Sequence, residues 1–240
     1  MASRSPASPR LVALIGGSGF IGTALTETFA RAGWRVRIVC RNPGRAQRLK
    51  PLGDVGQIGI VRGDVRIPAT LPPALADADV AINLVGILDE KSGQRFAEVQ
   101  AKGAGAVAAA AVQQGVRALV HMSAIGADPA SPSAYGRTKG EGEAAVLAAC
   151  RADGPCRAAI VRPSLVFGAQ DGFTNRFARL IAVAPLIPVV SPETRFQPLF
   201  VGDLAAATLA ITGRLLDGID PGGGAWELGG PDVLSMRQIL

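Results

Sequence analysis

The run Arg10-Leu11-Val12-Ala13-Leu14-Ile15 passes directly into Gly16-Gly17-Ser18-Gly19-Phe20-Ile21-Gly22, and this junction constrains the fold more than any other segment. A short, continuous apolar run reads as a strand buried on both faces. Glycines spaced three apart, at Gly16, Gly19 and Gly22, then open a helix over 19–32 that Gly33 closes. Strand, glycine turn and helix in that order form the context of a diphosphate-binding turn. Main-chain N–H groups gather at the helix start, where they and the helix dipole attract a pyrophosphate. A Cβ at Gly16 would strain the turn, and one at Gly19 would block close phosphate approach. Gly22 lets the helix pack closely on the strand. A purely structural glycine loop is the bland alternative, and the flanking strand and helix weigh against it. The expected contacts are Gly16, Ser18, Gly19, Phe20, Ile21 and Gly22.

Apolar runs and helical patterns keep alternating after this turn. Strands are expected at 35–40, 57–61, 80–85, 118–122 and 158–161, the last running into Arg162-Pro163. Helices are expected at 43–50, 69–76, 94–114 and 133–150. This order implies an α/β chain with a Rossmann-type, doubly wound parallel sheet and right-handed crossovers. After Pro163 the pattern changes, with helices at 173–184 and 203–214, a Pro-rich stretch between them, and a strand at 225–228. Ser235 is placed to cap a last turn over 236–240, where the chain stops. The expected organisation is a tail over 1–9, a nucleotide-binding region over 10–163, and a small, truncated C-terminal substrate or partner lobe over 164–240, interleaved with the core.

Composition narrows the function classes. Apolar residues at 48% allow a substantial core in 240 residues, while aromatics at 5% favour parallel strands under small-residue helices over an aromatic β-sandwich. The first ten residues are polar and basic and do not read as a secretory signal. No apolar run is long enough for a membrane span. Three scattered cysteines, Cys40, Cys150 and Cys156, suggest free thiols in a reducing, cytoplasmic setting. The single histidine, His121, gives poor support to a metal site or a serine triad, so no metal is expected. Net charge is +6, but the arginines are dispersed without interleaved aromatics, which favours local phosphate contacts over nucleic acid.

Cofactor choice is read at the end of the second strand. NAD-preferring sites place an acid there for the ribose hydroxyls. This chain has Val39-Cys40-Arg41-Asn42-Pro43, with Arg45 and Arg48 behind. A guanidinium suits a 2′-phosphate, so NADP(H) is expected over NAD(H). A second motif is Tyr135-x-x-x-Lys139: the chain's only tyrosine, with one of four lysines placed four residues later on one helix face. A tyrosine hydroxyl can exchange the proton of a carbonyl/alcohol pair, and a nearby ammonium lowers its pKa. Ser123, ending the fifth strand, can steady a carbonyl oxygen. Equally, Tyr135 and Lys139 can hold the nicotinamide ribose with no turnover.

With these residues the chain resembles the short-chain dehydrogenase/reductase superfamily, in its extended or atypical branch, over nearly all of its length after Arg10. The resemblance rests on the glycine motif, Asp64, Asn83-Leu84-Val85-Gly86, Ser123, Tyr135-x-x-x-Lys139 and Arg162-Pro163-Ser164-Leu165-Val166-Phe167-Gly168. Leu52-Gly53-Asp54-Val55-Gly56-Gln57, Ser123-Ala124-Ile125-Gly126-Ala127-Asp128 and Thr194-Arg195-Phe196-Gln197-Pro198 are similar to the NADPH-binding accessory subunit of respiratory complex I and its bacterial, epimerase/dehydratase-like relatives. The resemblance implies that Asp64 and Val65 meet adenine, that Leu84, Val85 and Gly86 flank the cofactor, and that Pro163 lies near the nicotinamide. It also implies an asparagine on the long helix, where this chain has Gln100.

Two functions stay open at this point. One is an NADP(H)-dependent oxidoreductase acting on an unknown carbonyl or sugar-like small molecule through Ser123, Tyr135 and Lys139. The other is a non-catalytic accessory or assembly subunit of the respiratory NADH:quinone oxidoreductase, bound to complex I subunits and peripheral to the inner membrane. An NADP-sensing regulator acting through the lobe after Pro163 is a third, weaker reading.

Overall fold

Side chains of the first strand alternate between two apolar layers, one on each face of the sheet. The computed structural model describes residues 9–151, 154–183, 189, 191–219 and 224–240. Within it β1 (Leu11–Ile15) is buried throughout. Val12 and Leu14 join one apolar cluster, with Leu25, Phe29 and Leu204. Leu11, Ala13 and Ile15 join the other, with Val107, Leu119 and Val146. A strand covered on both faces needs no polar alternation, which is why the run is continuously apolar. Each large side chain taken wholly out of water, such as Phe29 or Leu14, contributes about 1.5–3 kcal/mol.

The remaining elements follow in order. Helix α1 (Phe20–Arg31) leads to β2 (Arg35–Cys40), the short α2 (Pro43–Ala46), β3 (Ile58–Arg62), α3 (Leu71–Leu75) and β4 (Val80–Asn83). Helix α4 (Gly103–Gln113), β5 (Ala118–Met122), α5 (Ala134–Ala149), β6 (Arg157–Pro163) and β7 (Val166–Phe167) come next. The last part holds α6 (Thr174–Val183), β8 (Arg195–Phe196), β9 (Leu199–Phe200), α7 (Val201–Leu216), β10 (Ala225–Leu228), β11 (Leu234–Ser235) and α8 (Met236–Ile239). Seven strands form one sheet in the order β10-β6-β5-β4-β1-β2-β3. Every neighbour pair in it is parallel. The doubly wound Rossmann-type architecture expected from the sequence is therefore the observed one. Two small pairs, β7 with β9 and β8 with β11, lie outside that sheet.

Local chemistry moves several expected boundaries. The expected helix over 43–50 is only one turn of α-helix, continued as a 3-10 helix over Gln47–Leu52 that contains Pro51. The helix expected over 69–76 is a 3-10 turn at Pro68–Thr70 followed by α3, with Pro72 and Pro73 in its first turn. The strand expected to reach residue 85 stops at Asn83, whose side-chain oxygen accepts the Val85 N–H at 3.2 Å and turns the chain away. The long helix expected over 94–114 begins as a π-helix, Ala97–Lys102, before α4. Helix α5 presses on that segment: a Cβ at Gly142 would stand 2.4 Å from the Gln100 carbonyl oxygen. Ser235 caps α8 with a capping box to Gln238, as its position suggested.

The expected tail lies outside the described residues except for Pro9, as does the Ala184 end of the expected helix over 173–184. Among the described residues no helix is long and apolar enough to cross a membrane. The three cysteines are free, yet two are not scattered in space: the Cys150 and Cys156 sulfurs sit 3.3 Å apart.

Candidate functional site

Strand β1 has β2 on one side and β4 on the other, so the chain direction of winding reverses there, and a crevice opens beyond the strand ends. The glycine turn forms its floor. Gly16 has φ +82°, a left-handed conformation that favours glycine, and its N–H donates to the Val39 carbonyl at 2.9 Å. A Cβ there would also lie 3.1 Å from Val85 Cγ2. Gly22 serves differently from the sequence expectation. A Cβ on it would strike Gly17, 2.4 Å from its oxygen, so it lets the first turn of α1 close on the glycine turn itself. Gly17 is also constrained, since a Cβ on it would stand 2.8 Å from Leu14 Cβ, and its position carried no separate expectation in the sequence.

Helix α1 starts at Gly19 with no side-chain cap and no acid in its first turn. The Phe20, Ile21 and Gly22 amides thus have no intrahelical acceptor and no capping oxygen, and the positive dipole end is uncompensated. The Phe20 ring itself turns to Gly168, where an added Cβ would be 3.3 Å from it. Above the turn lies a cleft of about 270 Å³. Of the expected cofactor residues, Gly16, Ser18, Gly19, Arg41, Asp64, Val65, Leu84, Val85 and Gly86 line it. Phe20, Ile21, Gly22, Tyr135, Lys139 and Pro163 do not. Pro163 is buried at the end of β6, its carbonyl accepting the Ile125 N–H at 3.3 Å.

Arginines dress one end of this cleft. Arg41 donates to Gln94 Oε1 at 2.8 Å, and Arg48 donates to the Ser18 carbonyl at 3.1 Å. Arg66 grips Asp64 through Nε at 3.0 Å and Nη2 at 2.6 Å, which holds the Asp64 carboxyl below its ordinary range. Arg66 and Gln94 line the cleft but were not among the residues read from the sequence. Arg66 carried a legible signal, being two residues beyond Asp64 in an arginine-rich neighbourhood. Gln94 carried none.

A buried polar cluster continues from Gly86 under α5. Lys139 is 5% exposed and donates to the Met122 carbonyl at 3.1 Å. A Cβ on Gly86 would sit 3.2 Å from its Nζ, so the glycine leaves room for the ammonium beside the cleft. Burial lowers the Lys139 pKa to about 8, against the opposing pull of Glu143. Tyr135 packs edge-on against Phe96, and burial raises its phenol above the ordinary value. This direction, caused by desolvation, is opposite to the lowering expected from a neighbouring Lys139 ammonium. Ser123 donates its hydroxyl proton to Glu143 Oε1. Glu143 in turn accepts Arg162 Nε at 2.9 Å and Nη2 at 2.6 Å. Glu143 was missed, although it continues the Tyr135–Lys139 spacing by four more residues on one helix face. Gln100 donates to Thr138 Oγ1 at 3.1 Å, leaving its own side-chain oxygen buried without a partner among the described residues. His121 accepts from the Asn83 amide at 3.1 Å, which places its proton on Nε2. Burial and the Lys139 charge lower its pKa to about 3. Among the described residues no group of His, Cys, Asp and Glu is arranged to hold a metal.

The sequence model of the NAD dependent epimerase/dehydratase family matches residues 12–223. The chain belongs to that family. It is 31% identical over 239 residues to the mitochondrial NADH dehydrogenase (ubiquinone) 1 alpha subcomplex subunit 9 of Arabidopsis thaliana, covering 98% of this chain and 58% of that protein. It is 32% identical over 201 residues to the ceramide reductase of Caulobacter vibrioides, covering 84% of this chain and 60% of that one. The chain therefore spans about three fifths of the length of these relatives. Among solved structures, Pen from Bacillus thuringiensis superposes with a TM-score of 0.81 at 20% identity, over 97% of this chain and 72% of that one. A UDP-glucuronic acid 4-epimerase from Bacillus cereus, solved with a fluorinated sugar nucleotide and NAD, superposes with a TM-score of 0.78 at 19% identity, over 95% and 80%. These likenesses establish the fold.

Proposed function

We propose that this chain holds a nicotinamide dinucleotide in the crevice beyond β1, and prefers NADP(H) to NAD(H). The uncapped, acid-free N-terminus of α1, whose N-cap residue Gly19 lines the cleft, carries this reading. Free amides and a positive dipole end call for an anion, and a pyrophosphate supplies one. Gly16 and Gly86 each leave out a Cβ that would narrow the crevice. The family is named for NAD dependence. Arg41 at the end of β2, where NAD-selective sites carry an acid, supports the choice of NADP(H).

The bound dinucleotide would supply or accept a hydride. Around it, Lys139 would hold the nicotinamide ribose through its ammonium, which stands beside Gly86. Tyr135 would exchange the proton of a carbonyl/alcohol pair. Ser123 would orient the substrate oxygen by accepting or sharing a hydrogen bond, its own proton being directed at Glu143. The substrate is a carbonyl or alcohol compound, and a reductase among the relatives makes that chemistry reasonable.

A second reading is a nucleotide-binding subunit of a respiratory assembly without turnover. Three observations favour it: the Ser123 proton committed to Glu143, the raised Tyr135 pKa, and the likeness to complex I subunits. Mass spectrometry of nucleotide released from the purified protein tests the cofactor. Oxidation of NADPH with quinones, ketones and nucleotide sugars, in wild type and Tyr135→Phe, then separates the readings. Turnover lost in the variant supports the enzyme, and bound NADPH that never turns over supports the subunit.

A further inference from the structure

We infer that Arg66 is a specificity residue that joins Arg41 on the 2′-phosphate of NADP(H); this rests on the nucleotide reading above. Arg41 and Arg66 come from different strand ends, beyond β2 and beyond β3, yet both line the one cleft. Each guanidinium is already oriented. Gln94 holds Arg41 through Nη1 alone, and Asp64 holds Arg66 through Nε and Nη2. The Arg66 main-chain N–H also donates to Asp64, at 3.0 Å, fixing the direction in which the side chain departs. Arg66 Nη1, and Arg41 Nε and Nη2, donate to no acceptor among the described residues, so both forks keep donors for an incoming anion.

Charge balance points the same way. The charged residues lining the cleft are Arg41, Arg66 and Asp64, two cations against one carboxylate. A dianionic phosphate ester meets that excess, and a pair of ribose hydroxyls does not. The Asp64–Arg66 pair is partly open to solvent, with side chains 14% and 33% exposed, so it does little for stability. Its consequence is to keep a planar fork pointed at one place, which a flexible lysine at position 66 would not do.

The test uses the whole chain and two probe pairs, NADPH against NADH and 2′,5′-ADP against 5′-AMP, each titrated calorimetrically. Arg66→Gln is expected to weaken NADPH and 2′,5′-ADP by about 10- to 100-fold, the range for a lost charge-assisted contact, and NADH and 5′-AMP by less than about threefold. Arg66→Lys should recover only part of the loss. Equal weakening of both members of a pair would assign Arg66 to the adenine ring or the fold and overturn the inference, as would an unchanged ratio. Melting curves confirm that each variant is folded. Wild type that binds neither dinucleotide would bring down the nucleotide reading as well, whereas wild type that binds NADPH with an unchanged Arg66→Gln ratio sinks only the role of Arg66.

Discussion

The Ser123 hydroxyl donates to Glu143, and that carboxylate is simultaneously clasped by the Arg162 guanidinium at 2.9 and 2.6 Å. The residue just beyond β5 is thereby tied to α5 and β6 at one buried point beside the crevice. Glu143 is 8% and Arg162 24% exposed on their side chains, so the pair is screened far less than a surface bridge. Glu143→Gln is expected to destabilise the fold by about 2 kcal/mol, below the full cost for a buried pair, since it leaves a partly buried guanidinium without its main carboxylate. Ser123→Ala should cost only about 1 kcal/mol, the usual scale of one hydrogen bond. Urea unfolding at pH 7.5 measures both. A Glu143→Gln protein as stable as Ser123→Ala would mean that Arg162 finds its compensation elsewhere, for instance in Glu227, 3.5 Å from it.

The glycines of the turn should separate folding from binding. A Cβ at Gly19 meets only the Gly16 oxygen at 3.4 Å, an ordinary contact, whereas one at Gly22 meets Gly17 at 2.4 Å. Gly19→Ala is expected to melt within a few degrees of wild type and to lose at least about tenfold in NADPH affinity, because the methyl occupies the phosphate approach. Gly22→Ala should lose about 2–3 kcal/mol of stability, the scale of an overpacked contact. Thermal melts with calorimetric titration decide it. Full nucleotide affinity in a folded Gly19→Ala protein would remove the phosphate from this turn.

Two buried bases give stability opposite ends of a pH window. His121 has a folded pKa of about 3 against an ordinary 6.5. The unfolded chain therefore takes up a proton below pH 6.5 that the folded chain refuses, and the contribution present above 6.5 is lost as pH falls toward 3. Lys139, at about 8 against an ordinary 10.5, acts at the other end, so stability rises as pH climbs from 8 to 10.5. Between pH 7.5 and 5, wild type should lose about 2 kcal/mol more than His121→Gln, which has no ring to protonate. The alkaline rise should be absent in Lys139→Met. Parallel pH profiles for wild type and both variants would show that these groups do not titrate as their burial dictates.

Fold and crevice were legible because they rest on repeated or sterically exclusive features. Apolar runs such as Leu11–Ile15 admit one environment, and the positions of Gly16 and Gly22 admit no side chain without strain or collision. What escaped depends on tertiary partners. Asn83 ends β4 by bonding to its own chain two residues on, so the strand stopped short of its apolar continuation. The π-helix at Ala97–Lys102 arises where α5 crowds Gln100 through Gly142, a contact between segments some forty residues apart that local pattern cannot carry. The Ser123 side chain was read as free for a substrate, and its partner Glu143 lies on a different element. Arg66 went unread, because its place in the cleft depends on the Asp64 clasp.

The end of β2 remains the most direct place to test cofactor choice by inversion. Arg41 is exposed and held by Gln94 at 2.8 Å, so replacing it disturbs no core packing. Arg41→Asp removes one positive charge facing the proposed 2′-phosphate and adds a negative one, a repulsive element as well as a lost attraction. The same carboxylate can accept hydrogen bonds from the ribose hydroxyls of NADH. NADPH affinity is expected to fall by about 100-fold or more and NADH affinity to hold or rise, shifting the preference toward NADH. Asp64 feels Arg41 as a favourable charge, so its carboxyl should also become easier to protonate in the variant. Competition between the two dinucleotides for the purified protein gives the ratio directly. An Arg41→Asp ratio equal to that of wild type would place the 2′-position away from β2, and NADP(H) selectivity would then have to come from Arg66 or from Arg48, which already reaches the Ser18 carbonyl on the glycine turn.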